Sequence, residues 1–229
     1  MTERKPVTSL ESRRGERTAR RPRGAESEER WQEIITAAGE IFYAKGYEAT
    51  SLQDIASAVG LLKGSVYYYI KTKEDLLYEL VTRAQALMGS SLEEDEHVRV
   101  ASAPDRLRAF IGRWMALTAT ERKWSMVAER EFMRLTPRRL KAVIESRDRF
   151  SSFVKGIVRQ GVDEGAFDPD VDVSVATVVV FELMKSSHLW HRPSGPLSID
   201  DIGDWYATFV IRGLGGPAWS KGSTAAASA

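Results

Sequence analysis

The sequence predicts an all-α protein, and three features predict it. Apolar residues recur three and four positions apart in segment after segment, the spacing of one buried helix face. Capping residues, glycines and prolines punctuate those segments where helices start and stop. No stretch alternates apolar and polar residues as a half-buried strand does, and no hairpin turn competes. About nine helices fit into the 229 residues, with ample apolar content for a core.

Residues 1–26 read as a basic arm, carrying Arg13, Arg14, Arg17, Arg20, Arg21 and Arg23 with no apolar face. Such a segment buries too little to order itself when free. It is either a solubilising tail or an arm whose arginines lie on phosphates or in a minor groove. The first helix begins near Ser27, where Glu28 and Glu29 suit the positive end of the helix dipole. Trp31, Ile34, Ile35, Ala38, Ile41 and Phe42 form its buried stripe, and Gly46 stops it.

Residues 27–72 form a three-helix head. Thr50 and Gln53 make a capping box for a second helix, whose apolar face is Leu52, Ile55, Ala56 and Val59. Gly60 allows a sharp turn, because glycine takes positive φ without steric cost. A further helix spans Lys63 to Ile70, and Thr72 caps the next, which carries Leu76, Leu77 and Leu80. Two helices across a short glycine-containing turn are a helix-turn-helix, whose second helix can enter a DNA major groove. Lys63 suits guanine or phosphate, and Ser65 a base edge or phosphate. Tyr67 and Tyr69 can reach phosphate oxygens, while Tyr68 is expected to pack inward. Gln53 can reach a base edge from the second helix, with Thr50 beside it at the DNA face. Lys73 and the start of its helix form an anion site.

The segment Gly60–Leu77, GLLKGSVYYYIKTKEDLL, resembles the DNA-binding signature of the TetR family of bacterial transcriptional regulators. Gly60, Lys63, Gly64, Ser65, Val66, Tyr67, Tyr68, Tyr69, Ile70 and Lys73 match that pattern in order. Leu62 departs from it, since serine is usual there, so a serine contact to phosphate does not carry over. The resemblance covers about Ser27 to Leu80 and implies a cytoplasmic DNA-binding regulator with a ligand-binding body.

Residues 73–214 read as helices throughout. One runs from Lys73 to near Leu87 and joins head to body, and Gly89–Ser91 with the acidic run Glu93–Glu96 ends it. Ser102 and Asp105 cap a helix bearing Leu107, Phe110, Ile111, Trp114 and Leu117. Trp124, Val127, Phe132 and Leu135 mark the next. Thr136-Pro137 restarts the chain, because proline at the first helical position costs no hydrogen bond. The helix that follows runs to near Glu164, with Gly165 as its stop, and is long enough to kink. Asp168-Pro169 starts the chain again before a helix over 173–190. Ser198 and Asp201 open a last helix, which ends near Leu214. Residues 215–229 are a small-residue tail expected to stay disordered.

The last two helices are apolar on more than one face, through Val175, Val178, Val179 and Phe181 on one and Trp205, Phe209 and Val210 on the other. A helix that is apolar nearly all round is buried nearly all round, and a two-fold homodimer is the commonest way to cover it. The resemblance implies the same pair of helices as the dimer interface. Paired heads then read a palindromic double-stranded operator about one DNA turn apart, roughly 34–36 Å.

The resemblance further implies an effector held in the body that changes the head spacing. Trp114, Trp124, Phe132, Phe153 and Met184 are its candidate walls, with Met115, Met126, Met133 and Trp190 as further ones. GVDEGAFDPDVDV and WHRPSGPLS are similar to the C-terminal half of TetR-like regulators of fatty-acid or steroid catabolism, the KstR2-like group among them. That similarity implies an acyl-CoA effector, for whose phosphates Arg147, Arg130, Arg134, Arg138, Arg139 and Arg149 offer cations. The competing reading is an effector-independent architectural or constitutive DNA binder.

Other chemistry finds little support. The absence of cysteine excludes disulfides, cysteine-based zinc sites and thiol catalysis, and a net charge of +1 argues for no partner by itself. His188 and His191 stand alone without a third ligand, and no cofactor is expected. Asp168, Asp170 and Asp172 mimic the start of a calcium loop, but Val173 and Val179 occupy the positions that need glycine and glutamate. Ser152 and Lys155 form an S-x-x-K without companion motifs. No apolar stretch reaches the length of a membrane span, and an enzyme is not expected.

Overall fold

A computed structural model describes residues 24–92 and 96–215. All regular structure among them is helical. The head comprises α1 (Ala25–Lys45), α2 (Leu52–Ala58) and α3 (Lys63–Val66), and α4 (Lys73–Gly89) leads out of it. The body adds α5 (Glu96–Arg99), α6 (Ala103–Thr120), α7 (Arg122–Glu131), α8 (Pro137–Asp163), α9 (Val173–Trp190) and α10 (Ile199–Gly215). No described helix is long and apolar enough to cross a membrane. The basic arm up to residue 23, the acidic residues Glu93–Asp95 and the tail from residue 216 lie outside the described residues.

Two apolar cores hold the chain together. The first gathers Ile34, Ile35 and Phe42 of α1, Ile55 of α2, Val66 of α3 and Leu76, Leu77 and Leu80 of α4. It continues into Val127 of α7 and Val143 of α8, so the head rests on the body without a break in packing. The second unites Leu107, Phe110 and Met115 of α6 with Val154 and Ile157 of α8, Met184 of α9 and Val210 of α10. Burying one such side chain is worth roughly 1.5–3 kcal/mol. α4 contributes to the first core and then passes alongside the second.

Local chemistry sets the boundaries, with several departures from the sequence reading. α1 starts at Ala25 rather than Ser27, and Gly24 precedes it without a side-chain cap. The capping box of α2 is Ser51–Asp54, not Thr50–Gln53: Asp54 Oδ2 accepts from the Ser51 N–H at 2.7 Å, and Ser51 Oγ accepts from the Asp54 N–H at 3.2 Å. Aspartate reaches this geometry as glutamate does, one residue later than expected. α3 holds α-geometry only to Val66, and Tyr69 closes onto the Val66 carbonyl at 2.9 Å. α7 ends at Glu131 in a 3-10 turn over Phe132–Arg134, and α8 then runs unbroken for 27 residues. α5 was not expected. Thr72–Asp75 and Ser198–Asp201 cap their helices as read.

Polar contacts pin the head to the body. Lys123 of α7 meets Glu40 of α1 at 2.6 Å, and Arg130 donates to the Phe42 carbonyl at 2.6 Å. Arg134 joins Glu48 in the α1–α2 loop at 2.6 Å and the buried Glu131 at 2.7 Å. Arg139 on α8 binds Asp75 and Glu74 at the start of α4. Burial pushes the Asp75 carboxyl up, but Arg139 and the N–H groups of Thr72 and Lys71 outweigh it and hold it below the ordinary value.

Candidate nucleic-acid interface and effector cavity

The turn at Gly60, with φ 65°, throws α3 onto the outer face of the head. Val66 and Ile70 are buried four residues apart and anchor that segment, which turns the positions around them outward. Lys63 and Ser65 are exposed. Tyr67 is 49% exposed and Tyr68 75%, whereas Tyr69 packs partly against the head core. The expectation that Tyr68 packs inward is therefore reversed: with the α-helix ending at Val66, the chain tightens and puts Tyr69 inside instead. Tyr68 and Tyr69 rings meet edge-on at 5.2 Å. Gln53 is exposed and donates to Ser57 Oγ at 3.2 Å.

Two expected contact residues face away from this surface. Thr50 is only 2% exposed and gives its hydroxyl hydrogen to the Gly46 carbonyl at 2.7 Å. It braces the loop, and placing it at the DNA face is corrected. Lys73 directs its ammonium to the carbonyls of Tyr47 (2.7 Å), Thr50 (2.8 Å) and Glu48 (3.3 Å), 4.3 Å over the Tyr47 ring. An ammonium has three N–H donors, and these carbonyls occupy them. The Lys71 and Thr72 N–H groups beside it go to Asp75 Oδ2 at 2.8 and 2.9 Å.

Within the body lies a cavity of about 80 Å³. α4 supplies Val81, Ala84, Gln85 and Met88 to its wall; α6 supplies Trp114 and Thr118; α7 supplies Ser125, Ala128 and Glu129. Arg147 and Phe150 of α8 and Lys185 and His188 of α9 complete it. Glu129 pairs with Arg147 and, at 3.3 Å, with Lys185. The Arg147 guanidinium also stacks 4.0 Å from the Phe132 ring. Burial, then nearby Arg122, pushes the His188 imidazole below its ordinary pKa against the opposing pull of Glu129. Ser125 Oγ is buried and has no hydrogen-bond partner among the described residues.

Grooves extend the cavity on two sides. One of about 440 Å³ runs between α4 and α8, shares Gln85 and Phe150 with the cavity, and carries Arg149. Another of about 260 Å³, under the α9–α10 connector, shares Thr118 and His188.

These features have counterparts in known proteins. A model of the tetR family of bacterial regulatory proteins matches residues 34–80, and one of tetracyclin-repressor-like C-terminal domains matches residues 100–214. The chain belongs to the TetR family. Among TetR-family relatives, the HTH-type transcriptional repressor KstR2 of Mycobacterium tuberculosis is 28% identical over 80% of this chain and 91% of its own. A fatty acid metabolism regulator protein of Bacillus subtilis is 26% identical over 66% of this chain and 78% of its own. The crystal structure of PfmR, a TetR family regulator from Thermus thermophilus, superposes with a TM-score of 0.71 at 30% identity, covering 78% of this chain and 97% of that one. The helix-turn-helix head of this TetR-family chain is thus a DNA-binding element.

The TetR-family body places the expected effector residues unevenly. Trp114 and Arg147 meet in the inner cavity. Phe153 packs on Phe110 with ring centroids 5.6 Å apart, and Met184 is buried in the second core. Trp124 and Phe132 pack against the head core instead. Arg130, Arg134 and Arg139 are engaged at the head–body junction. Asp168 and Asp172, which only mimic the start of a calcium loop, accept backbone N–H bonds from Asp170 and from Ser174 and Val175. Sequence reasoning missed Ser125, Glu129 and Lys185, and weighed His188 only as a metal ligand. A signal for the last two existed, because they sit three apart and interrupt an otherwise apolar helix.

Proposed function

We propose that the protein is a transcriptional repressor that binds a palindromic operator as a homodimer and is released by a hydrophobic effector, with acyl-CoAs of lipid or steroid catabolism as the effector class. One observation carries this reading: α4 packs Leu76 and Leu77 into the head and lines the inner cavity with Val81, Ala84 and Met88. A ligand that needs more room there must move α4, and α4 carries the head with it. The effector then binds the non-DNA conformation better, which is the condition for release. The exposed Lys63, Ser65, Tyr67 and Gln53 meet the operator, within a DNA-reading unit of residues 27–72 on an effector-binding and dimerising unit of residues 73–214.

The homodimer rests on α9 and α10. Val175, Val178, Val179 and Leu189 line one exposed side of α9, and Trp205 and Phe209, each 69% exposed, one side of α10. An apolar patch of that kind asks for a partner, and a second copy closes it symmetrically. The relatives, a repressor and a fatty acid metabolism regulator, support repression and a lipid-derived effector. An acyl chain outgrows a cavity of about 80 Å³, so it extends into the α4–α8 groove, where Arg149 offers a cation for phosphate. A gel-shift titration on DNA upstream of the protein's own gene, with and without long-chain and ring-bearing acyl-CoAs, tests the reading. Release by one class supports it; tight binding that none disturbs favours the constitutive binder.

A further inference from the structure

Leu62 serves neither the cores of the fold nor the helix that it opens. Its side chain is 80% exposed and belongs to neither apolar core. It is the N-cap residue of α3, where serine, threonine, aspartate or asparagine would accept a hydrogen bond from the first turn, and no side-chain cap is made. The Ser65 N–H closes onto the Leu62 carbonyl at 2.9 Å, so the backbone turns as a cap does while the leucine side chain stays in solvent. Single exposed leucines are ordinary on a protein surface. This one is not isolated. Among the described residues of the head, the large apolar side chains left exposed are Leu62, Tyr67 and Tyr68, all on α3 or just beyond its ends. Lys63, Gly64 and Ser65 beside Leu62 are exposed as well.

In a helix-turn-helix, the first residues of the second helix meet base edges in the major groove. Leucine has no donor or acceptor, so it cannot read a base nitrogen, a carbonyl oxygen or an amino group there. Against a phosphate it would strip water from an anion and return no hydrogen bond. The base edges of that groove carry one apolar feature, the C5-methyl group of thymine.

We propose that Leu62 is a specificity-determining residue that reads a thymine methyl in each half of the operator, beside the contact made by Lys63. The proposal rests on the operator-binding part of the reading above and not on the effector. Leucine in place of a capping residue gives up a hydrogen bond at the start of a short helix and gains an apolar contact at the DNA face.

The test lets the full chain select its site from a random-sequence duplex pool. Each thymine of the selected site is then replaced by deoxyuridine, which pairs identically but lacks the methyl group. Gel-shift titration should find a thymine position in each half-site at which that loss weakens binding about fourfold, the size of one buried methylene-sized group. Leu62→Ala should bind the thymine and deoxyuridine duplexes alike at that position. Leu62→Met, which keeps an apolar chain, should retain the preference. Leu62→Ser, which can restore a side-chain cap, should lose the preference with no fall in melting temperature, and this separates a lost contact from a damaged head. Deoxyuridine tolerated at every position overturns the proposal. So does a preference that survives Leu62→Ala, which would assign the methyl to Tyr67 or Tyr68. A pool in which no sequence is enriched sinks the operator reading and this proposal together, whereas an enriched site that ignores the methyl sinks this proposal alone.

Discussion

Gly39 on α1 lies directly against the indole of Trp124 on α7: a methyl group at position 39 would stand 2.8 Å from Nε1. No real carbon sits that close, so the absence of a side chain sets how near the two helices come. The contact ties the head to a helix that also walls the inner cavity through Ser125 and Glu129. Gly39→Ala should force α7 outward and cost about 1–3 kcal/mol through overpacking. Urea unfolding checks the cost, and gel shift should show weaker operator binding with the dimer intact. Unchanged stability and affinity would mean that Trp124 swings away freely.

Tyr67 and Lys73 should separate contact from support. Tyr67→Phe removes an exposed hydroxyl and is expected to weaken operator binding while leaving the melting temperature alone. Lys73→Ala strips partners from the Tyr47, Glu48 and Thr50 carbonyls. It should lower stability by about 1–3 kcal/mol, with DNA affinity falling as a consequence. Thermal melts beside gel shifts distinguish the two, and a Lys73→Ala protein with native stability would return Lys73 to the DNA face.

His188 predicts a pH dependence with a definite sign. Its folded-state pKa lies below its unfolded value, so between the two the unfolded chain binds more protons. The stability it permits is full above about pH 6.5, its unfolded value, and is lost as pH falls through the lower folded value. Burial first, and then Arg122, disfavours the imidazolium there, and Glu129 favours it. His188→Gln should flatten the stability profile below about pH 6.5. A profile that keeps its slope in that variant assigns the loss to other groups.

Trp205→Glu should disrupt the homodimer. Its ring is exposed on α10, one of the two helices with unpartnered apolar sides, and a charge there meets its own copy across a two-fold axis. Sedimentation should find monomers that retain helical circular dichroism but bind the operator far more weakly. A dimer that survives Trp205→Glu places the interface elsewhere.

Fold and site were legible in the sequence to different depths. The head could be read because its signals are local: the 52, 55, 56, 59 spacing, Gly60 and the motif after it all act within a few residues. Its errors are local too. Ser51–Asp54 and Thr50–Gln53 both satisfy a capping pattern, and Thr50 lost because its hydroxyl reaches back to the Gly46 carbonyl. Tyr68 and Tyr69 exchange places depending on where the helix tightens, which spacing alone does not decide. The cavity was hardest, because Ser125, Glu129, Arg147 and Lys185 converge from three helices distant in sequence. Their identities carry no periodicity that reports convergence. Of the arginines expected to meet effector phosphates, Arg134 was diverted to Glu48 and Arg139 to Glu74 and Asp75, pairings visible only once the body lies against the head and α4.

The central claim is that one protein couples operator and effector through α4, and reciprocal linkage tests it most directly. The affinity of an acyl-CoA that releases the operator should be measured with and without a saturating operator duplex. Operator affinity should be measured with and without that ligand. The account predicts that each weakens the other by the same factor, as thermodynamics requires of coupled sites, typically about 5–150-fold. A factor of one in both directions, with each partner binding well alone, would contradict it.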